Sequence, residues 1–377
     1  MLLERTPNPP DEAGVISWVH FGDLHMEGAD GQNYKDLLAL VQKLNATFAR
    51  SISFAFLPGD NADKGSAAQY VLVRSGLDKL QLPWHAIVGD HDVHEKSFHN
   101  FLHYLEPATY YSFIVGDLHF YALNAFTTPE PKSFDLSDEQ LDWLETLLKA
   151  LPENAHAILL LHCYPTDLNR GAERLHTLIE GRRVLLIDMG HTHYNEVAND
   201  GATLYTATRS TGQIEEGPVG FSVTNIDGNV VSWRFLPFTD SSLVMITSPT
   251  DERFLTTSLE VTNSGPPTVI RAKFWGDLDG VALEASIGAS VLPMTRVGDS
   301  QVWQAELKDE LVDGVHDLTV TAQLRNGTSV RDGIRLRVGP TQRPARDQRD
   351  QDNALDAWPE RGLLGTQLGP NKNGKKW

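Results

Sequence analysis

Seven side chains in this sequence have the types and spacing for metal chemistry: Asp23, His25, Asp60, Asp90, His162, His191 and His193. They fall in Asp-Leu-His at 23–25, Gly-Asp at 59–60, Gly-Asp-His-Asp at 89–92, His162 alone, and Gly-His-Thr-His at 190–193. Carboxylate and imidazole together suit borderline first-row cations such as Mn, Fe and Zn. Seven donors exceed what one such ion needs, and they serve two ions if one carboxylate bridges. Two ions about 3.5–4 Å apart form a clamp for phosphoryl hydrolysis, supplying hydroxide and neutralising phosphate oxygens. His91 stands beside this set.

Each donor group follows an apolar run that reads as a buried strand: Val15–Phe21, Ile52–Leu57, Trp84–Val88, Ala157–Leu161 and Val184–Met189. A polar residue in that position projects from the carboxyl edge of a sheet, where open α/β sheets bind ligands. A glycine just past the strand lets the backbone turn sharply and approach a ligand. Leu24 and Thr192 are spacers that put their neighbours on one side.

Helices separate the strands. Leu37, Leu40, Val41, Leu44 and Phe48 recur at helical spacing over Tyr34–Phe48, and Val71, Val73 and Leu77 do so over Ala67–Leu80. Ser137-Asp138-Glu139-Gln140 reads as a capping box opening a helix to Ala150, with Leu141, Leu144, Leu147 and Leu148 as its buried stripe. Tyr110–Val115 and Leu118–Leu123 read as a hairpin across Gly116-Asp117. Strand alternating with helix predicts a layered α/β unit. From Ala202 to Phe235 short alternating strands follow, expected to complete a second sheet of the same unit.

The character changes near 237–242. From Leu243 to about Val338 only strands and turn signals remain, including Asn326-Gly327, so an all-β sandwich of immunoglobulin-like type is expected, although no Cys pair supports it. The predicted organisation is therefore an N-terminal extension at 1–13, an α/β catalytic domain at 14–238, the β-sandwich at 243–340, and a linker and tail at 341–377. The tail carries Trp358, Leu363, Leu364 and Trp377, unusual in a purely solvating segment, and is expected to dock back on the catalytic domain.

Composition narrows the partners. No apolar run approaches the roughly 18 residues of a membrane span. A net charge of −18 over 377 residues argues against long nucleic acid, which needs a basic track. A small phosphorylated substrate remains compatible if the site carries its own cations. One cysteine, Cys163, rules out an internal disulfide framework. The first residues lack the apolar core of a signal peptide, so a cytoplasmic location is expected, or a periplasmic one had a leader been removed. Oligomeric state is not legible.

The order D-x-H, G-D-x-x-D, G-x-H-D, H, then G-H-x-H resembles the calcineurin-like metallophosphoesterase family over about 14–238. The resemblance implies a two-sheet αββα sandwich and a binuclear centre of divalent or mixed-valence Mn, Fe or Zn at the strand ends. It implies Asp23, His25, Asp60 and His193 on a first ion, and Asp60, Asp90, His162 and His191 on a second, with Asp60 bridging. His91 would match the family's phosphate-contacting histidine, stabilising the transition state or protonating the leaving oxygen. The activity implied is hydrolysis of a phosphodiester or small phosphomonoester by a metal-bound hydroxide. The resemblance is greatest to the bacterial cyclic-nucleotide and glycerophosphodiester phosphodiesterase branch.

One departure stands out. The family's usual Gly-Asn-His-Asp is Gly89-Asp90-His91-Asp92 here. A third ligand carboxylate lowers the charge of the centre and removes an amide donor to phosphate, so slower turnover or a shifted metal or substrate preference is expected. The contrasting reading is a metal-binding scaffold with little hydrolysis that recognises partners through the sandwich. Asp63 and Asp92 are expected to support the ligand loops; His20 to be structural; His94, His99 and His103 to form one solvated or packing face; and Cys163 to be a small packed residue.

Overall fold

The computed structural model describes residues 5–126, 134–256, 268–339 and 353–365. Its first half alternates strand and helix: β1 (Ile16–His20), α1 (Gln32–Thr47), β2 (Phe54–Leu57), α2 (Ala67–Leu77), β3 (Trp84–Ala86), α3 (His99–Tyr104) and the hairpin β4 (Tyr111–Val115) and β5 (Leu118–Ala122). Then follow α4 (Asp138–Lys149), β6 (His156–Leu161), α5 (Ala172–Ile179), β7 (Val184–Met189), β8 (Glu196–Asn199), β9 (Leu204–Ala207), β10 (Gly220–Asp227) and β11 (Val230–Pro237). They build two mixed sheets, in the orders β11-β10-β1-β2-β3 and β4-β5-β6-β7-β9-β8. In the first, β1, β2 and β3 run parallel; in the second, β5, β6, β7 and β9 do.

Strand alternation sorts the side chains into layers. Ile16 and Trp18 of β1 face Phe120, Ile158, Leu160 and Leu186 of the second sheet in one buried core. Their neighbour Val19 joins the residues of the opposite faces, together with Leu37, Leu40 and Leu44 of α1 and Leu141 and Leu144 of α4, in another. Strands covered on both faces need long apolar runs, which is how β6 reads after His156 and how β7 reads but for Asp188.

Three expectations need correction. The strands after 202 do not all complete the second sheet: β9 does, but β10 and β11 return to the first, where β10 pairs antiparallel with β1. Strand partnership is a long-range choice that local alternation does not encode. Val71 is half exposed, and Tyr70 takes the buried place beside Val73 and Leu77. The capping box is half formed. Ser137 Oγ accepts from Gln140 N at 3.1 Å, but the Gln140 amide turns away to clamp Asn124 N and O at 2.7 and 2.9 Å.

Downstream, β12 (Leu243–Ser248), β13 (Thr268–Trp275), β14 (Ala282–Ile287), β15 (Ser290–Pro293), β16 (Thr295–Arg296), β17 (Val302–Leu307), β18 (Gly314–Gln323) and β19 (Ser329–Val338) form two antiparallel sheets, β12-β13-β17-β16 and β15-β14-β18-β19. Their inner faces share one apolar core. The junction with the α/β unit is polar and buried: Lys273 Nζ reaches Asp11 Oδ2 at 2.8 Å, Ser17 Oγ at 3.0 Å and Ser51 O at 3.0 Å. Arg271 pairs with Asp227 and donates to Ala13 O at 2.6 Å.

Residues 353–365 lie across both units. Asn199 N and Leu355 N bond across the β8 edge to Asn353 O and Val197 O. Trp358 is buried under the Arg253 guanidinium, 3.1 Å from the ring centre. Arg361 donates to Asp332 of β19 at 2.9 Å and to Trp233 O of β11 at 3.3 Å. The linker at 341–352 and Trp377 lie outside the described residues.

Candidate metal centre

The donors converge where the two sheets end. Asp23 and His25 follow β1, Asp60 follows β2, Asp90 follows β3, His162 follows β6, and His191 and His193 follow β7. Asp23, His25, Asp60 and His193 each offer a ligand atom within 4.8 Å of the others, and so do Asp60, Asp90, His162 and His191. Asp60 is in both groups. Its Oδ2 lies 3.6 Å from His25 Nε2 and 3.5 Å from His162 Nε2, one oxygen between the two clusters. The first cluster is wholly buried, whereas Asp90 and His191 leave the second partly open.

Turning each chain that sharply requires unusual backbone. Asp23, His25, Asp60, His191 and His193 have φ of 46°, 40°, 49°, 70° and 66°. That left-handed region is disfavoured for residues with a Cβ, and such strain clusters at functional sites. Gly89 is a steric requirement: a Cβ there would stand 2.1 Å from Asp60 Oδ1.

Hydrogen bonds aim the donors. His162 Nδ1 donates to Pro58 O at 2.7 Å, which leaves Nε2 for the cluster. His91 N donates to Asp60 Oδ1 at 2.9 Å, and His191 N to Asp23 Oδ1 at 3.0 Å. Asp92 braces the loops: it accepts from Asn61 N, Ala62 N, Gly89 N and Tyr70 Oη. His91 donates Nδ1–H to Asp63 O at 2.8 Å, so its Nε2 is the free face. His94 is exposed and lies outside α3, which carries His99 and His103, so the three histidines do not share a helix.

The donor set fits a pair of cations. Asp23 Oδ2, Asp90 Oδ1 and His162 Nε2 are buried with no hydrogen-bond partner. His25 Nε2 and His193 Nε2 face each other at 3.0 Å. Stranding that many buried polar atoms is costly unless a cation takes their lone pairs. The same burial and crowding shift the acidity of these groups. Burial pushes the Asp23 carboxyl up to about 6, and pushes His25 and His193 down to about 4 and about 3. Burial would also raise Asp60, but the adjoining His162 outweighs it and holds Asp60 down to about 2. His162 is raised despite burial by Asp60 and Asp90, and Asp90 is lowered despite burial by His162 and His191.

Local pattern did not disclose every residue around the centre. Phe134 lays its ring edge on His191 at 4.8 Å between centroids. The turn after β9 backs the first cluster: Ser210 Oγ donates to Asp23 O at 2.8 Å, and Gly212 N donates to the same carbonyl at 3.0 Å. The only sequence signal for that turn was its place after a strand. Asn33, in the first turn of α1, donates to Leu24 O at 3.2 Å and to His25 O.

Residues 17–195 match the model of the calcineurin-like phosphoesterases. A probable glycerophosphodiester phosphodiesterase of Arcobacter nitrofigilis is 29% identical over 149 residues, 36% of this chain and 54% of the relative. The chain thus spans about half the length of that protein. A probable cyclic nucleotide phosphodiesterase of Synechococcus is 26% identical over 200 residues, 49% of this chain and 76% of the relative. Among solved structures, the purple acid phosphatase PPD1 of yellow lupin seeds has a TM-score of 0.49 at 15% identity, over 62% of this chain and 53% of that one.

Proposed function

Residues 17–195 belong to the calcineurin-like metallophosphoesterase family of hydrolases, and from that premise we propose that this chain hydrolyses a phosphodiester or small phosphomonoester. The observation that carries the proposal is Asp60 Oδ2, which lies between His25 and His162 and so belongs to both donor clusters. We assign Asp23, His25, Asp60 and His193 to one Mn, Fe or Zn ion and Asp60, Asp90, His162 and His191 to another. When bound, such a pair supplies the activated water and the positive charge that the transition state needs.

The residues around the pair do the rest. His91 is raised above its ordinary pKa: burial lowers it, but the charges of Asp60, Asp90 and Asp63 and the bond to Asp63 O prevail. With Nδ1 tied, a protonated His91 presents Nε2–H to a phosphate oxygen or leaving group. The phosphodiester reading is supported by the relatives whose names are phosphodiesterases. The immunoglobulin-like reading of the second unit, at about 243–340, is supported by its strand order: four strands in one sheet, and in the other the edge pair β14–β15 beside β18 and β19.

The test is a substrate panel with Mn-loaded protein: bis-p-nitrophenyl phosphate, p-nitrophenyl phosphate and cyclic nucleotides. Turnover of the diesters above the monoester is expected. No turnover on any of them, with two ions bound, would overturn the hydrolase reading for this chain.

A further inference from the structure

A polar rung crosses the apolar layer between the two sheets. Asp188 of β7 and His20 of β1 are fully buried there, beside Trp18, Phe56, Leu160 and Leu186. Asp188 Oδ1 accepts from His20 Nδ1 at 2.7 Å and from Thr206 Oγ1 at 3.1 Å. Its Oδ2 accepts from the Trp18 indole at 2.9 Å. One carboxylate thus gathers donors from β1 of one sheet and β9 of the other.

Its position along the strands is informative. His20 stands three residues before Asp23, and Asp188 three residues before His191. β1 leads to Asp23 and His25, and β7 to His193, so three of the first cluster's four donors stand at the ends of these two strands, with Asp60 after β2 as the fourth. They belong to different sheets and share no ladder. Most of the rest of the layer is apolar packing, which is non-directional, with one further polar contact between the sheets, Thr208 Oγ1 just past β9 to Ser222 Oγ of β10 at 2.6 Å. Metal sites tolerate only about 0.2 Å of error in ligand distance. A charge-assisted hydrogen bond is short and directional, so it fixes separation and slide where apolar contacts do not.

Burying such a group is a poor way to gain stability. A buried ionic group replaced by well-packed apolar side chains often leaves a protein equally or more stable, and specificity of geometry is one reason to retain it. We propose that Asp188, through His20 and Trp18, is a positioning residue that sets the span of the metal centre between the two sheets. This rests on the binuclear reading of the site.

The experiment measures Mn²⁺ affinity at each site by calorimetry, metal content by elemental analysis, and Tm of the metal-free protein. It uses the wild-type chain, Asp188→Asn, and the double variant Asp188→Leu with His20→Phe. His25→Ala and His162→Ala assign the first and second sites. Asp188→Asn is expected to weaken the first site at least tenfold and more than the second. The apolar pair leaves the Trp18 indole N–H and the Thr206 hydroxyl without their acceptor, so Tm is expected to fall somewhat, with the first site again weakened more than the second. Wild-type affinity in both variants overturns the proposal. So does an equal loss at both sites that tracks a fall in Tm, the mark of an ordinary structural residue. A wild-type chain that binds no Mn²⁺ overturns the metal-centre reading itself.

Discussion

The strand ends of the α/β unit and its junction with the β-sandwich handle buried charge in opposite ways. At the strand ends of the α/β unit, carboxylates and imidazoles are packed together with ligand atoms left unpartnered, on backbone held at left-handed φ. Where the β-sandwich meets that unit, Lys273, Arg271 and Arg361 are also buried or nearly so, yet each finds an acid: Asp11, Asp227 and Asp332. Closed pairs hold a junction together. Open clusters of like donors make sense only if an outside cation completes them. The contrast separates the part of the molecule built for chemistry from the part built for cohesion.

The strongest way to break the comparison is at Asp60. Asp60→Ala removes the oxygen common to both clusters, so metal content should fall from two ions per chain towards none, with hydrolysis lost. Retention of two ions would mean the clusters are independent. Next is His91→Gln, which removes no assigned ligand and keeps the backbone N–H on Asp60 Oδ1. It should lower kcat about 10²- to 10⁴-fold with metal content unchanged.

Acidity sharpens the same contrast. Asp23, pushed up to about 6 by burial from its unperturbed 3.8, binds more protons folded than unfolded between those values. Its contribution to the stability of the metal-free protein is therefore present at low pH and lost as pH rises through about 6. Metal binding would displace that proton and the one that the raised pKa of His162 retains. The rise in Tm on adding Mn²⁺ should thus be small at pH 5 and larger at pH 7.5. Equal rises at the two values would show that these groups do not exchange protons for metal.

At the junction, Lys273→Ala leaves Asp11 without its cation and should cost about 3–5 kcal/mol of stability, read as a lower denaturation midpoint. Metal content per folded molecule should not change. The mildest effect is expected at Asp90→Asn, which keeps an oxygen donor and alters the charge of the centre. A changed metal preference or turnover rate is the expected outcome, and identical kinetics with each metal would show that the third carboxylate is inconsequential.

Much of the site was legible because its signals are local. An apolar run followed by Gly-Asp or Gly-His marks a buried strand with a ligand at its end, and four such marks, with His162 directly at the end of a fifth run, place the seven donors. The stripe Leu37, Leu40, Val41, Leu44 likewise predicted a helix whose inner face is buried as expected. Ser137 announced a helix start for the same reason: a cap is a matter of three or four residues.

What the tertiary structure alone decided lies beyond that range. Nothing near Gly220 says that β10 will pair with β1, two hundred residues away in the chain. Gln140 abandons its own helix cap because Asn124 offers both a donor and an acceptor. His20 looked like one structural histidine, and its partner Asp188 looked like part of an apolar strand. Only the facing of the two sheets makes them a pair. By itself, the sequence determined which metal-binding residue types stand at strand ends, since residue type and strand-end position are written along the chain. Their spacing in three dimensions depends on strand pairing and sheet packing, which arise from contacts between distant segments and so appear only in the folded molecule.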